Sequence, residues 1–170
     1  MKQKSTVVAI DFRGHGQHSC ENETHLPQEV LIADTLCVLE NTLQRFPGRT
    51  IVLVGHGMGG AIAIKAANVI ETEMAGSELN KAVLGLVVVD VIESTAMEAL
   101  PYMETIVKNR PKQFPDLTSV VRYGIQNGQV RDRISARVSM PAQVMEVTDA
   151  PTGLKKYVWR TDLLAHKPFW

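Results

Sequence analysis

The stretch Thr50-Ile51-Val52-Leu53-Val54-Gly55-His56-Gly57-Met58-Gly59-Gly60-Ala61 decides the fold. It begins as a short apolar run rich in β-branched residues. No polar residue alternates with the apolar ones, which is the pattern of a strand covered on both faces. Glycine then recurs through a tight turn. Beyond the turn lies a helical pattern from about Met58 to Ala75, with Ala61, Ala63, Ala66 and Ala67 small enough for close packing and Gly76 as a stop. Strand, sharp turn and helix therefore follow one another without a linker.

Working outward, two more runs read as strands, Thr6-Val7-Val8-Ala9-Ile10 and Val83 to Val89. Between the first two strands, Ile32, Leu36, Leu39, Leu43 and Phe46 recur at helical spacing. Pro27 suits that helix's first turn, and Pro47-Gly48 ends it. The order β-α-β-α-β predicts three parallel strands joined by right-handed crossovers. After Asp90 the pattern changes. Ser94 to Lys108, Asp116 to Asn127 and Asp132 to Val147 read as short helices, broken at Pro101, Arg110-Pro111, Pro115 and Asn127-Gly128.

Chain size and composition set the class. The 170 residues are 45% hydrophobic, and 18 basic residues balance 18 acidic ones. That suits one domain with a real core and argues against a disordered tail or a general nucleic-acid binder. Few aromatic residues leave few stacking platforms for single strands. Two cysteines, Cys20 and Cys37, make no disulfide scaffold. No apolar run is long enough to cross a bilayer, and Met1 to Thr6 lacks a signal-peptide core. A soluble chain in a reducing compartment is the expectation. Charge is nonetheless uneven. Residues 1–100 carry 7 basic and 12 acidic side chains, and residues 101–140 carry 7 and 3. The basic stretch reads either as a solvated helical face or as a surface for an acidic partner.

Chemistry in an open α/β sheet is expected at the C-terminal ends of its strands. The first strand ends in Asp11-Phe12-Arg13-Gly14-His15-Gly16, the second in Gly55-His56-Gly57-Met58-Gly59-Gly60, the third in Asp90. Gly55 and Gly59, two before and two after Gly57, frame a nucleophile elbow, whose central serine stands at the sheet edge on a strained backbone. Here the centre is Gly57, which tolerates the turn but offers no nucleophile. The alternatives are a glycine turn of no catalytic meaning and a phosphate loop at a helix N-terminus. Gly55, Gly57 and Gly60 match G-x-G-x-x-G, yet Asp90 lies 30 residues beyond Gly60, where a dinucleotide site wants an acid about 20 on. Asp90 itself reads equally as an acid that orients a catalytic histidine or as a cap on the following turn.

The paired motifs DFRGHG and GHGMGG resemble those of α/β-hydrolases. The segments VVAIDFRGHG (7–16), IVLVGHGMGGAIAI (51–64), LGLVVVDVIESTAMEAL (84–100), NRPKQFPDL (109–117), IQNGQVRDRISARVSMPAQV (125–144) and YVWRTDLLAHKPFW (157–170) resemble one family, the protein phosphatase methylesterases. Such enzymes remove the methyl ester from the C-terminal leucine of the type 2A protein phosphatase catalytic subunit. The resemblance implies a partial α/β-hydrolase fold, with residues 1–92 as core and 93–170 as a helical, lid-like segment of the same domain. It makes Asp90 the triad acid, Gly57 the nucleophile position where the family has serine, and the Met58 N–H an oxyanion-hole donor, with Gly55, His56 and Gly59 completing the elbow. It implies no metal or organic cofactor, the phosphatase catalytic subunit as partner through its C-terminal tail, no nucleic acid or membrane, and a cytoplasmic location extending to the nucleus.

Three departures accompany the resemblance. Serine is replaced by Gly57. The triad histidine is expected beyond residue 170, because His166 falls in lid-like sequence and His56 belongs to the elbow. The family's glycine-rich oxyanion loop is expected ahead of the first strand, on a strand that lies between the Asp11 and Gly57 strands. Negligible turnover is therefore expected, and a non-catalytic phosphatase-binding protein is the alternative. Open strand edges also predict a marginal or aggregation-prone isolated chain, unless it belongs to a longer protein. The segment Glu71–Lys81 is longer than the family's connection and reads as a surface insertion.

Overall fold

A computed structural model describes residues 5–17, 20–90 and 93–169. Met1–Lys4, Val91, Ile92 and Trp170, which belong to segments quoted above, lie outside the described residues. Two compact units emerge. Among the described residues, the first comprises 5–12, 25–90, 93–100 and 169, the second 13–17, 20–24 and 101–168.

In the first unit, α1 (Gln28–Arg45) starts after Pro27, whose carbonyl accepts from Val30 and Leu31. Its most buried ridge is Leu31, Thr35 and Leu39, rotated slightly from the aliphatic stripe, with Ile32, Leu36 and Leu43 flanking it. Thr35 is tolerated there because its hydroxyl donates to the Leu31 carbonyl at 2.8 Å, which satisfies a polar group that burial would otherwise penalise. Next come β1 (Ile51–His56), α2 (Met58–Thr72), α3 (Glu78–Ala82) and β2 (Val83–Val89). β1 and β2 pair in parallel, as the crossover α2 requires. Leu39, Leu53, Ala63, Ile70 and Leu79 form the core. Ala63 and Ala66 are buried, Ala67 is half-buried and Ala61 faces solvent, so the small residues serve one face of α2.

Three expectations change here. Thr6–Ile10 takes no regular secondary structure and belongs to no sheet, and Val7 is 88% exposed. Among the described residues the parallel sheet therefore has two strands rather than three. β-branched residues favour extended backbone, but a strand exists only where a neighbour accepts its hydrogen bonds. The reading of two covered faces also fails. Leu53 and Gly55 are buried, whereas Val52 is 58% and Val54 70% exposed. Among the described residues the helices pack on the Leu53 side, so apolar composition marks both faces while only one is covered. Third, the Glu71–Lys81 segment is no mere surface insertion, because Leu79 enters the core at 3% exposure. Ser77 caps α3 through the Asn80 N–H.

α4 (Glu93–Lys108) contains the boundary between the units, at Leu100/Pro101. The second unit continues with α5 (Leu117–Gln126), α6 (Arg133–Ala142), β3 (Val144–Thr148) and β4 (Lys155–Trp159). Asp116 and Asp132 cap α5 and α6 by accepting from Ser119 and Ser135, each at 2.7 Å. The predicted helix to Val147 stops at Ala142, and a helix-only segment is corrected to helices plus an antiparallel β3–β4 hairpin. Pro141 sits in the last turn of α6, and the β-branched Val144, Val147 and Thr148 then favour the ladder. Phe114, Val120, Ala136, Met140 and Val144 make a separate core. Among the described residues, no helix is long and apolar enough to cross a membrane.

Candidate functional site

The C-terminal ends of β1 and β2 meet at one edge. His56 and Val89 are register partners, and the next backbone N–H, that of Gly57, donates to the Val89 carbonyl at 3.0 Å. Gly57 and Asp90 therefore stand side by side at the end of the same ladder. Gly57 has φ +53° and ψ −123°, a conformation that costs a residue with a side chain. Asp90, a non-glycine residue, also has positive φ, +54°. Two adjacent strand ends thus both turn through left-handed backbone.

Steric detail explains the spacing of the glycines. A Cβ on Gly55 would lie 2.4 Å from the Gly59 carbonyl oxygen, a collision with backbone. At Gly57 nothing lies within 4 Å of the corresponding point. The flanking position must be glycine for the helix to approach, whereas the central one has room for a side chain. The Gly57 carbonyl accepts from Gly60 at 2.9 Å and Ala61 at 3.2 Å, which closes the first turn of α2. Met58, the first residue of α2, places its N–H where no intrahelical acceptor exists, in the positive end of the helix dipole.

The other candidate residues are partly gathered. Phe12, from the DFRGHG segment, packs against the Leu26, Leu31 and Ile62 cluster, with its ring 3.8 Å from where a Gly59 Cβ would stand. His56 Nε2 lies 3.6 Å from Asp90 Oδ2, both side chains more than 70% exposed. That distance permits ionic attraction but is too long for a hydrogen bond. The sequence assigned His56 to the elbow alone. Its facing of Asp90 follows from strand pairing, which periodicity does not register.

Chain and known proteins agree on the fold. The serine aminopeptidase S33 family matches residues 1–158, and the chain belongs to that family of α/β-hydrolase proteins. Among named relatives, it is 37% identical to the probable protein phosphatase methylesterase 1 of Caenorhabditis elegans, covering 96% of this chain and 42% of that protein. It is 39% identical to protein phosphatase methylesterase 1 of Bos taurus, covering 89% and 38%. The chain thus spans about two fifths of the length of these relatives. An esterase of Mycobacterium tuberculosis superposes with a TM-score of 0.62 at 23% identity, covering 92% of this chain and 49% of the esterase. E-2-(acetamidomethylene)succinate hydrolase does so with a TM-score of 0.64 at 21% identity, covering 92% and 52%. Both likenesses concern the fold.

Proposed function

We propose that the protein is of protein-carboxyl methylesterase lineage, directed at the C-terminal leucine methyl ester of the type 2A protein phosphatase catalytic subunit, and that this polypeptide is catalytically silent. The observation that carries the reading is the Gly57 turn, with φ +53°, ψ −123° and open space where a Cβ would stand. A serine there would direct its hydroxyl from the ladder end shared with Asp90. In an active relative that oxygen attacks the ester carbonyl, a histidine takes its proton, and the acid at the Asp90 position orients the histidine and stabilises its imidazolium. The Met58 N–H is one of the donors that stabilise the tetrahedral oxyanion. Glycine at the centre removes the covalent route. Neither metal nor organic cofactor enters this chemistry.

Methanol release from a peptide ending in leucine methyl ester tests the reading. The expected rate equals that of a heat-killed control, and a rate above it overturns the assigned silence. Similarity to the named methylesterases at 36–39% identity supports the lineage and the substrate class.

A second reading, a non-catalytic phosphatase partner, rests on an elbow that keeps its shape without its nucleophile and on the basic residues of 101–140. Retention by immobilised phosphatase catalytic subunit supports it. Absence of retention at micromolar concentration removes it.

A further inference from the structure

We propose that the second unit carries a binding pocket for a small oxyanion, a single carboxylate or phosphate group, built on Arg110, Arg160 and His15. These residues line a cleft of about 150 Å³ together with Gln143, Trp159 and Thr161. No acidic side chain is among its lining residues. The cleft is smaller than the roughly 300–1,000 Å³ of sites for drug-sized ligands, so it suits one charged group and not a nucleotide.

The two guanidinium groups carry the inference. The Nε of Arg110 and the Nε of Arg160 are both buried without a hydrogen-bond partner among the described residues. A buried donor left unsatisfied is costly, and more so on a charged group. Both arginines line one cleft that no acidic side chain lines, and their terminal guanidinium N–H groups are what an anion there would meet. Arginine is suited to the task because its planar fork meets carboxylate and phosphate oxygens in pairs.

The Arg110 guanidinium and the Arg160 backbone are held in place before any ligand arrives. The Arg110 guanidinium carbon lies 3.6 Å from the centroid of the Trp159 ring. Trp159 is fixed in turn by donating its indole N–H to the Pro111 carbonyl at 2.7 Å, and by ring contacts with Phe114 and Tyr123. Stacking leaves the edge of the Arg110 guanidinium for hydrogen bonding. The Arg160 backbone N–H donates to the Gln143 carbonyl at 2.9 Å, which anchors that residue to the end of α6. Such preorganisation lowers the ordering cost of binding. Burial meanwhile pulls the Arg110 guanidinium below its ordinary pKa, with a smaller opposing effect from Tyr123. The direction fits a cation that lacks a counter-ion. Every residue of the pocket belongs to the second unit, so its occupancy is independent of Gly57 and of ester hydrolysis.

The test uses the intact 170-residue chain carrying Trp170→Phe, which leaves the Trp159 indole N–H as the only such signal in a ¹H–¹⁵N spectrum. Inorganic phosphate and N-acetylglycine are titrated separately, with sodium chloride at matched ionic strength as the blank. The expected result is a saturable shift of the indole signal with one or both oxyanions and none with chloride. Response to phosphate alone, or to the carboxylate alone, identifies which group the pocket takes. Arg160→Gln should weaken binding by about tenfold or more. Arg160→Lys keeps the charge and loses the fork, and guards against misfolding of the first variant; it should also weaken binding. Arg137→Gln, an exposed arginine on α6, should not. No saturable shift in a well-dispersed spectrum overturns the proposal. Equal weakening by Arg137→Gln and the Arg160 variants also overturns it, since that marks a diffuse charge effect.

Discussion

The Gly57 N–H donates to the Val89 carbonyl at 3.0 Å, one residue before Asp90. This bond ties the turn after β1 to the end of β2. It keeps two residues far apart in the chain beside each other at one sheet edge, whatever side chain occupies position 57.

Gly57→Ser should therefore fold. The site has room for the added atoms, and the expected cost is the strained backbone at φ +53° and ψ −123°, about 1–3 kcal/mol. Gly55→Ala should fare worse, because its Cβ meets backbone at 2.4 Å. Urea unfolding of both variants checks the order. A larger loss for Gly57→Ser than for Gly55→Ala would contradict the assignment of Gly57 as the open centre and Gly55 as the close approach.

Leu79→Ala should destabilise the first unit by about 2–5 kcal/mol, as expected for a buried leucine that leaves a cavity. Leu79 is 3% exposed beside Leu39, Leu53, Ala63 and Ile70. Chemical denaturation measures the loss. A change below about 0.5 kcal/mol, the range of ordinary surface substitutions, would return the Glu71–Lys81 segment to the status of a surface insertion.

The open sheet face should drive self-association. Val52, Val54, Val87 and Val89 are all exposed by 46% or more, and contiguous apolar surface of this kind favours aggregation. Val54→Lys combined with Val87→Lys should lower the concentration-dependent light scattering of the isolated chain. Equal scattering by the double variant and the parent would place the sticky surface elsewhere.

Acid should weaken the second unit before its carboxylates titrate. His166 is 4% exposed, with the His15 ring 5.5 Å away. Burial first, then the charge of His15, push its pKa below the ordinary 6.5, against smaller opposing effects of Asp162 and of a hydrogen bond that the ring donates to the Glu23 backbone carbonyl. As pH falls through about 6.5, the unfolded histidine gains a proton that the folded one resists, so stability drops with falling pH. The window lies above that of Asp116 and Asp132, whose lowered pKa values remove stability only below the ordinary carboxylate range. Urea midpoints between about pH 7.5 and 5.5 should decline for the parent and stay flatter for His166→Gln. Parallel curves for the two would exclude His166 as the source.

Sequence alone determined what depends on neighbours along the chain. Pro27 and Pro47-Gly48 bracket α1, Asp116 and Asp132 stand at the caps of α5 and α6, and the turn from β1 into α2 falls where the glycines put it. Propensity, capping and steric exclusion act over a few residues and leave their mark in local order. Only tertiary structure decided which apolar runs find partners. Thr6–Ile10 and Ile51–Val54 read alike, yet only the second joins a ladder, because a strand's hydrogen bonds belong to a neighbour remote in sequence. The same holds for Asp90 beside Gly57, and for Arg110, Trp159 and Arg160 around one cleft. Their proximity arises from packing between distant segments, and no periodicity records it.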